Sequence, residues 1–245
     1  MLELCSASAL QRSIFRLGAL ALLVLPVAAA LATGPSKNLA PGFRELPAGA
    51  TVLVAPLDVE LFEIDAGGIP EPRADWTDTA RRLIREELER RRVDLGVQTT
   101  ELAEDATDEL GEVLSLQGAV SEAIAAHQFG ELPLPTKNGQ LDWTFGDAMQ
   151  PLQQKTGARY GLFIWVRDGY TSAARKATMA LTAILSLGHV IPGGARQLAY
   201  ASLVDLEGGR VLWFNRVVRG RGDLRDPAAA AETVDELLKN FPVGR

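Results

Sequence analysis

Residues 158–167 read Ala158-Arg-Tyr-Gly-Leu-Phe-Ile-Trp-Val-Arg167. Nearly every position between the two arginines is aromatic, aliphatic or β-branched, without the polar alternation of a half-solvated strand. Such a run fits a strand covered on both faces. A sheet buried on both sides needs helices on both sides, so this one stretch points to a layered α/β or α+β domain.

The flanking sequence supplies those layers. Leu198–Leu206 and Arg210–Arg219 are two further strand patterns. Asp205-Leu-Glu-Gly-Gly-Arg210 joins them, and its glycines can take the positive φ angles of a tight hairpin. Asp226-Pro227 caps and opens a helix with proline at its first position. Its buried stripe is Ala230, Val234, Leu237, Leu238 and Phe241. Upstream, Asp147–Lys155 is a short helix ended by Gly157, and Phe129–Thr144 is a loop holding the turn dipeptide Asn138-Gly139. Residues 101–127 read as helical, with Ala106, Leu110, Val113, Leu114, Val120 and Ile124 on one face and breaks expected at Gly111 and Gly118.

Nearer the start, Thr51–Ile64 (TVLVAPLDVELFEI) reads as one buried strand. A helix follows, N-capped by Asp75 or Thr77, with Trp76, Ala80, Leu83, Ile84 and Leu88 at helical spacing. Val97–Thr100 makes a short strand. The expected architecture is a mixed β-sheet with helices packed on both faces, spanning 50–245 with a helical insertion around 101–145. Residues 33–49 are Pro- and Gly-rich and read as a linker or extended arm.

The first 32 residues differ in kind. Arg12 and Arg16 precede an apolar run from Leu17 to Leu25, and Ala28, Ala29, Ala30 and Ala32 follow Pro26. Basic region, short apolar region and small residues at A-x-A spacing are the marks of an export signal, cleaved after Ala32 or Ala30. The alternative is an uncleaved inner-membrane anchor. Cys5, the chain's one cysteine, precedes the apolar run and cannot be the lipidated cysteine of a lipoprotein. The periplasm is the expected compartment.

The chain has 25 Lys and Arg against 31 Asp and Glu, and without residues 1–32 the balance is 23 against 30. An acidic domain lacks the electrostatic footprint of a nucleic-acid binder. His127 and His189 are far apart and no Cys, Asp or Glu stands at ligand spacing, so no metal or other cofactor is expected. There is no G-x-S-x-G elbow around Ser172, Ser186 or Ser202, and Gly67-Gly68 and Gly193-Gly194 belong to no phosphate-binding motif. Asp58, Glu60 and Glu63 fall in the second half of the first strand pattern. They are the best acids for an alternative reading as a hydrolase of wall or glycan substrates.

Two features suit contact with a partner. Arg216, Arg219, Arg221 and Arg225 form a basic run on and after the last strand, a solvated edge or a site for an acidic surface. Residues 177–191 (ATMALTAILSLGHVI) are apolar for about 15 residues, short of the roughly 20 that cross a bilayer. They read first as a buried crossover helix. The alternatives are an interface presenting Met179, Leu181, Ile184 and Leu185, or a membrane contact.

The Val-Leu-Val-Ala-Pro strand after the signal resembles exported α/β domains of the TolB N-terminal, LpoB and CsgG kind. So do the Tyr-Gly-Leu-Phe-Ile-Trp-Val strand and the pattern D-x-x-x-G-x-x-x-W, here Asp205, Gly209 and Trp213. The resemblance implies a non-enzymatic envelope role through protein–protein contacts, with an envelope protein as partner. The chain departs from that group in lacking a lipobox cysteine and in its 101–145 insertion. Its segment 177–191 also lacks the alternation of a pore hairpin.

Overall fold

A computed structural model of the chain describes residues 36–92, 95, 97–102, 111–186, 196–220 and 222–243. The expected export signal at 1–32, Cys5, Ala106, Leu110, His189, Gly193-Gly194, Arg221 and the 187–191 end of the apolar segment lie outside them. Seven strands form one mixed sheet: β1 (Thr51–Val54), β2 (Asp58–Ile64), β3 (Pro70–Pro72), β4 (Gln98–Glu101), β5 (Tyr160–Thr171), β6 (Gln197–Asp205) and β7 (Val211–Arg219). The helices are α1 (Ala74–Arg91), α2 (Gly111–His127), α3 (Gln150–Thr156), α4 (Ala173–Leu185) and α5 (Pro227–Leu237).

The central strand is β5, and its alternation builds both cores. Leu162, Ile164 and Val166 enter one core with α1 and α5 residues, including Leu83, Ile84, Val234 and Leu237. Phe163 and Trp165 enter the other with Ile124 of α2, Leu152 of α3, and Tyr200 and Phe214. The two-faced burial expected from residues 158–167 is therefore met by helices on both faces. Along one edge β5 pairs antiparallel with β6, which pairs antiparallel with β7.

Along its other edge β5 pairs parallel with both β1 and β2. The single strand expected over Thr51–Ile64 is thus two strands in line. Val54 pairs with Leu162 and Asp58 with Trp165, so the Ala55-Pro56-Leu57 side carries one residue more than β5. Pro56 has no N–H to give a ladder, and the chain bulges around it.

The start of α1 also differs from expectation. Arg73 occupies the N-cap without a side-chain hydrogen bond, and Asp75 lies in the first turn. The Thr77 hydroxyl instead accepts from the Leu61 N–H at 2.9 Å. It ties the helix to β2, an alternative use open to any side chain of the capping type. In α2 the buried face is Gln117, Gly118, Ser121, Ile124 and Ala125, more polar than the expected stripe. Gln117 donates to Ser121 and Ser202. Gly118 does not break the helix, and a Cβ there would meet the Trp165 ring at an ordinary contact distance of 3.5 Å.

Residues 36–50 are an arm laid on the domain. The Ala40 N–H donates to Leu212 and the Phe214 N–H donates to Asn38, while Leu46 is fully buried. The arm closes the outer edge of β7.

The largest departure is α4. Instead of a buried crossover helix, it is a helix with no buried residue. A crossover helix is required only between parallel strands. Since β5 and β6 run antiparallel, their connection has nothing to cross, and α4 is left without a fully buried face.

Candidate partner-binding surface

The first turn of α4 is where the helix is fastened. The Ser172 side chain caps it by accepting from the Arg175 N–H at 3.0 Å. The Ser172 N–H donates to Ile64 and the Arg175 guanidinium to the Ala66 carbonyl. Further along, Leu181, Ile184 and Leu185 are 57%, 70% and 76% exposed. Their three- and four-residue spacing puts them on one face. Thr178 and Thr182 donate their hydroxyls to the carbonyls of Ala174 and Thr178. Those hydrogen bonds leave mainly methyl groups for any partner on that side. Met179 is half-buried and lies off the bare face. Clusters of exposed large apolar side chains mark contact sites more often than chance.

The end of β5 that leads into α4 carries a polar network that the sequence did not announce. Asp168, 3% exposed on β5, accepts at one carboxylate oxygen from the Tyr170 hydroxyl at 2.7 Å and from the Gln197 amide at 2.8 Å. Gln197 in turn accepts from Arg219 at 2.6 Å. The Leu224 N–H donates to the Tyr170 oxygen. Trp76 lies edge-on to Tyr170 and meets the guanidiniums of Arg73 and Arg225 at 4.3 and 4.1 Å from its ring centre. Burial pushes the Asp168 carboxyl above its ordinary 3.8, against the lowering from its hydrogen bonds with Tyr170 and Gln197. Burial likewise raises the Tyr170 phenol. Asp223 moves the other way, held down chiefly by its hydrogen bond from Arg225.

Asp168 gives a test of this network. A carboxyl whose folded pKa is raised binds more protons folded than unfolded as pH climbs from 3.8 to that folded value. Stability from this group therefore falls across that window and stays low above it. An asparagine oxygen can accept the same two hydrogen bonds without charge. Asp168→Asn is expected to match the parent near pH ~3, below the ordinary carboxyl pKa, and to exceed it in urea midpoint at pH ~7. Asp168→Leu, which leaves two buried donors unmet, falls below the parent at every pH. A parent-minus-Asn difference independent of pH contradicts the assignment.

The predicted basic run does not form one patch. Arg216 and Arg219 are three apart on β7 and so point to opposite faces. Arg216 donates to the carbonyls of Ala125 and Phe129 near the end of α2, over the Phe129 ring. Arg219 is 14% exposed and also bonds Glu232 and Thr233 of α5. Arg225 pairs with Asp223.

The three acids are likewise engaged. Arg167 bonds Asp58 at 2.6 Å and approaches Glu60 at 3.4 Å, while stacked over Trp165. Glu63 pairs with Arg73. An arginine between two carboxylates is unlike the open acid pair of a glycosidase. The His127 ring stacks on Trp143 and bonds the Leu132 carbonyl. Ser202 is buried under Gln117. Among the described residues no three His, Cys, Asp or Glu side chains gather as a metal site. None of the described helices is long and apolar enough to cross a membrane.

No protein-family model matches the chain, and no curated protein sequence matches it. Solved structures align with it at low similarity. The PelC dodecamer from Paraburkholderia phytofirmans aligns with TM-score 0.37 and 14% identity over 83% of this chain and 94% of that one. Lipoprotein GNA1162 from Neisseria meningitidis aligns with TM-score 0.33 and 14% identity over 80% and 99%. The LpoB C-terminal domain from Salmonella enterica gives TM-score 0.30 and 12% identity over 74% and 88%. At these values the functional reading rests on this chain's own residues.

Proposed function

We propose that the chain is a non-enzymatic, exported accessory domain that binds an envelope protein through the bare face of α4. The observation that carries the reading is Leu181, Ile184 and Leu185, three large aliphatic side chains more than half exposed on one helix. The residue pattern of 1–32 supports export to the periplasm. The engagement of Asp58, Glu60 and Glu63 by arginines speaks against the hydrolase alternative.

The test is capture by chemical crosslinking in cells. Envelope proteins crosslinked to the parent are expected to be absent from a Leu181→Asp/Ile184→Asp chain. They are expected to persist with Leu132→Asp, a control at an exposed leucine far along the sequence in the 128–144 loop. Equal capture by the double variant overturns the proposal.

A further inference from the structure

The two sides of the sheet are finished differently. The outer edge of β7 is closed by the arm at Asn38–Ala40. At the far side β4 pairs only with β1, and among the described residues nothing bonds its outer edge. The Gln98 N–H donates inward to the Ala50 carbonyl at 3.0 Å. By the alternation of a strand, Thr99 and Glu101 then turn their N–H and C=O groups outward.

A cavity of about 280 Å³ lies under this edge. Its walls are largely apolar, with Val52, Val54, Leu88, Leu162 and Phe241 among them, and the side chains of Thr99 and Glu101 line it as well. It lies beside a shallower hollow between α1 and Glu101, and both are lined by Arg85, Glu89 and Glu101. Glu89 is paired with Arg92. Arg85 and Glu101 make no ion pair among the described residues, so the mouth presents one cation and one anion.

We propose that β4 accepts an extended segment of a partner protein as an added strand, with one apolar side chain of that segment seated in the cavity. Three features converge on this occupant. The outward backbone groups of Thr99 and Glu101 match the ladder groups of an added strand. The cavity wants an apolar anchor. Arg85 and Glu101, at the mouth, complement an acid and a base carried on the anchor's face of the incoming strand. A second copy of β4 fits poorly, since Gln98-Thr-Thr-Glu101 has no apolar side chain to offer. A small apolar molecule would leave the edge unpaired. The site is distinct from α4 and stands or falls apart from it.

The probes are two labelled peptides, Thr-Lys-Thr-Leu-Thr-Glu-Thr and its charge-swapped form Thr-Glu-Thr-Leu-Thr-Lys-Thr, titrated against the full chain by fluorescence anisotropy. One charge order is expected to bind saturably. Truncating its leucine to alanine, or N-methylating its backbone, is expected to weaken it by roughly tenfold or more, the scale of a lost anchor or hydrogen bond. Thr99→Pro removes an outward N–H from an edge strand, where proline is tolerated, and should weaken binding similarly with Tm unchanged. If Thr99→Pro fails to fold, the N-methyl peptide still decides. Equal binding by the N-methylated peptide overturns the proposal, as does no binding by either charge order. Self-association of the parent that Thr99→Pro abolishes also overturns it, by making a second copy the occupant.

Discussion

Replacing Trp213 by alanine is expected to lower the unfolding free energy by about 3–5 kcal/mol, the range for truncating a large buried aromatic. Trp213 is fully buried at a junction of three parts of the chain. It pairs across the sheet with Leu203 of β6, forms a bridge with Leu39 of the arm, and meets the Phe241 ring edge-on at 5.2 Å. Its indole N–H meets no hydrogen-bond partner among the described residues, so truncation removes packing and no side-chain hydrogen bond to them. At the size of this domain the loss lowers Tm by roughly 6–20 °C. Urea and thermal unfolding followed by circular dichroism measure both. A loss under about 1 kcal/mol, the scale of an ordinary substitution, contradicts the packing described.

Leu181→Asp/Ile184→Asp is expected to do the reverse, leaving the isolated domain intact and disabling its association. Neither side chain is buried, so unfolding free energy stays within about 0.5 kcal/mol of the parent, as for other surface changes. Partner affinity is a different matter. Central apolar anchors are worth about 2 kcal/mol each on truncation, and a charge forced into such a contact costs more. Affinity for the captured envelope protein therefore falls by roughly 100-fold or more, at about 1.4 kcal/mol per tenfold. Unchanged stability with unchanged affinity removes α4 from the interface. Lost stability shows that the helix is packed after all.

The sequence was most legible where local chemistry and burial agree. The apolar continuity of 158–167 marked the central strand, Gly209 with its positive φ closes the hairpin after Asp205, and Asp226 caps α5 through the N–H groups of Ala228 and Ala229. It was least legible where the outcome depends on a distant partner. An apolar stripe at helical spacing has the same period whether it is covered or bare, and only the antiparallel pairing of β5 with β6 left α4 uncovered. The run of arginines looked like a patch because it is close in sequence, although spacing by three on a strand already separates Arg216 from Arg219. Asp168 drew no expectation from the sequence, since its partner Gln197 is 29 residues away on β6.

The central claim is that the two cores on the faces of one sheet leave the outer face of α4 open to solvent. The chain's single cysteine lets it be measured directly, by combining Cys5→Ser with either Ile184→Cys or Ile164→Cys. In the isolated native protein, the new thiol of the Ile184→Cys chain is expected to react with a maleimide about as fast as a free thiol. Ile164 is 2% exposed in β5, and a thiol in its place is expected to react only on unfolding. Protection of the α4 thiol in the monomer, comparable to that of the β5 thiol, contradicts the account.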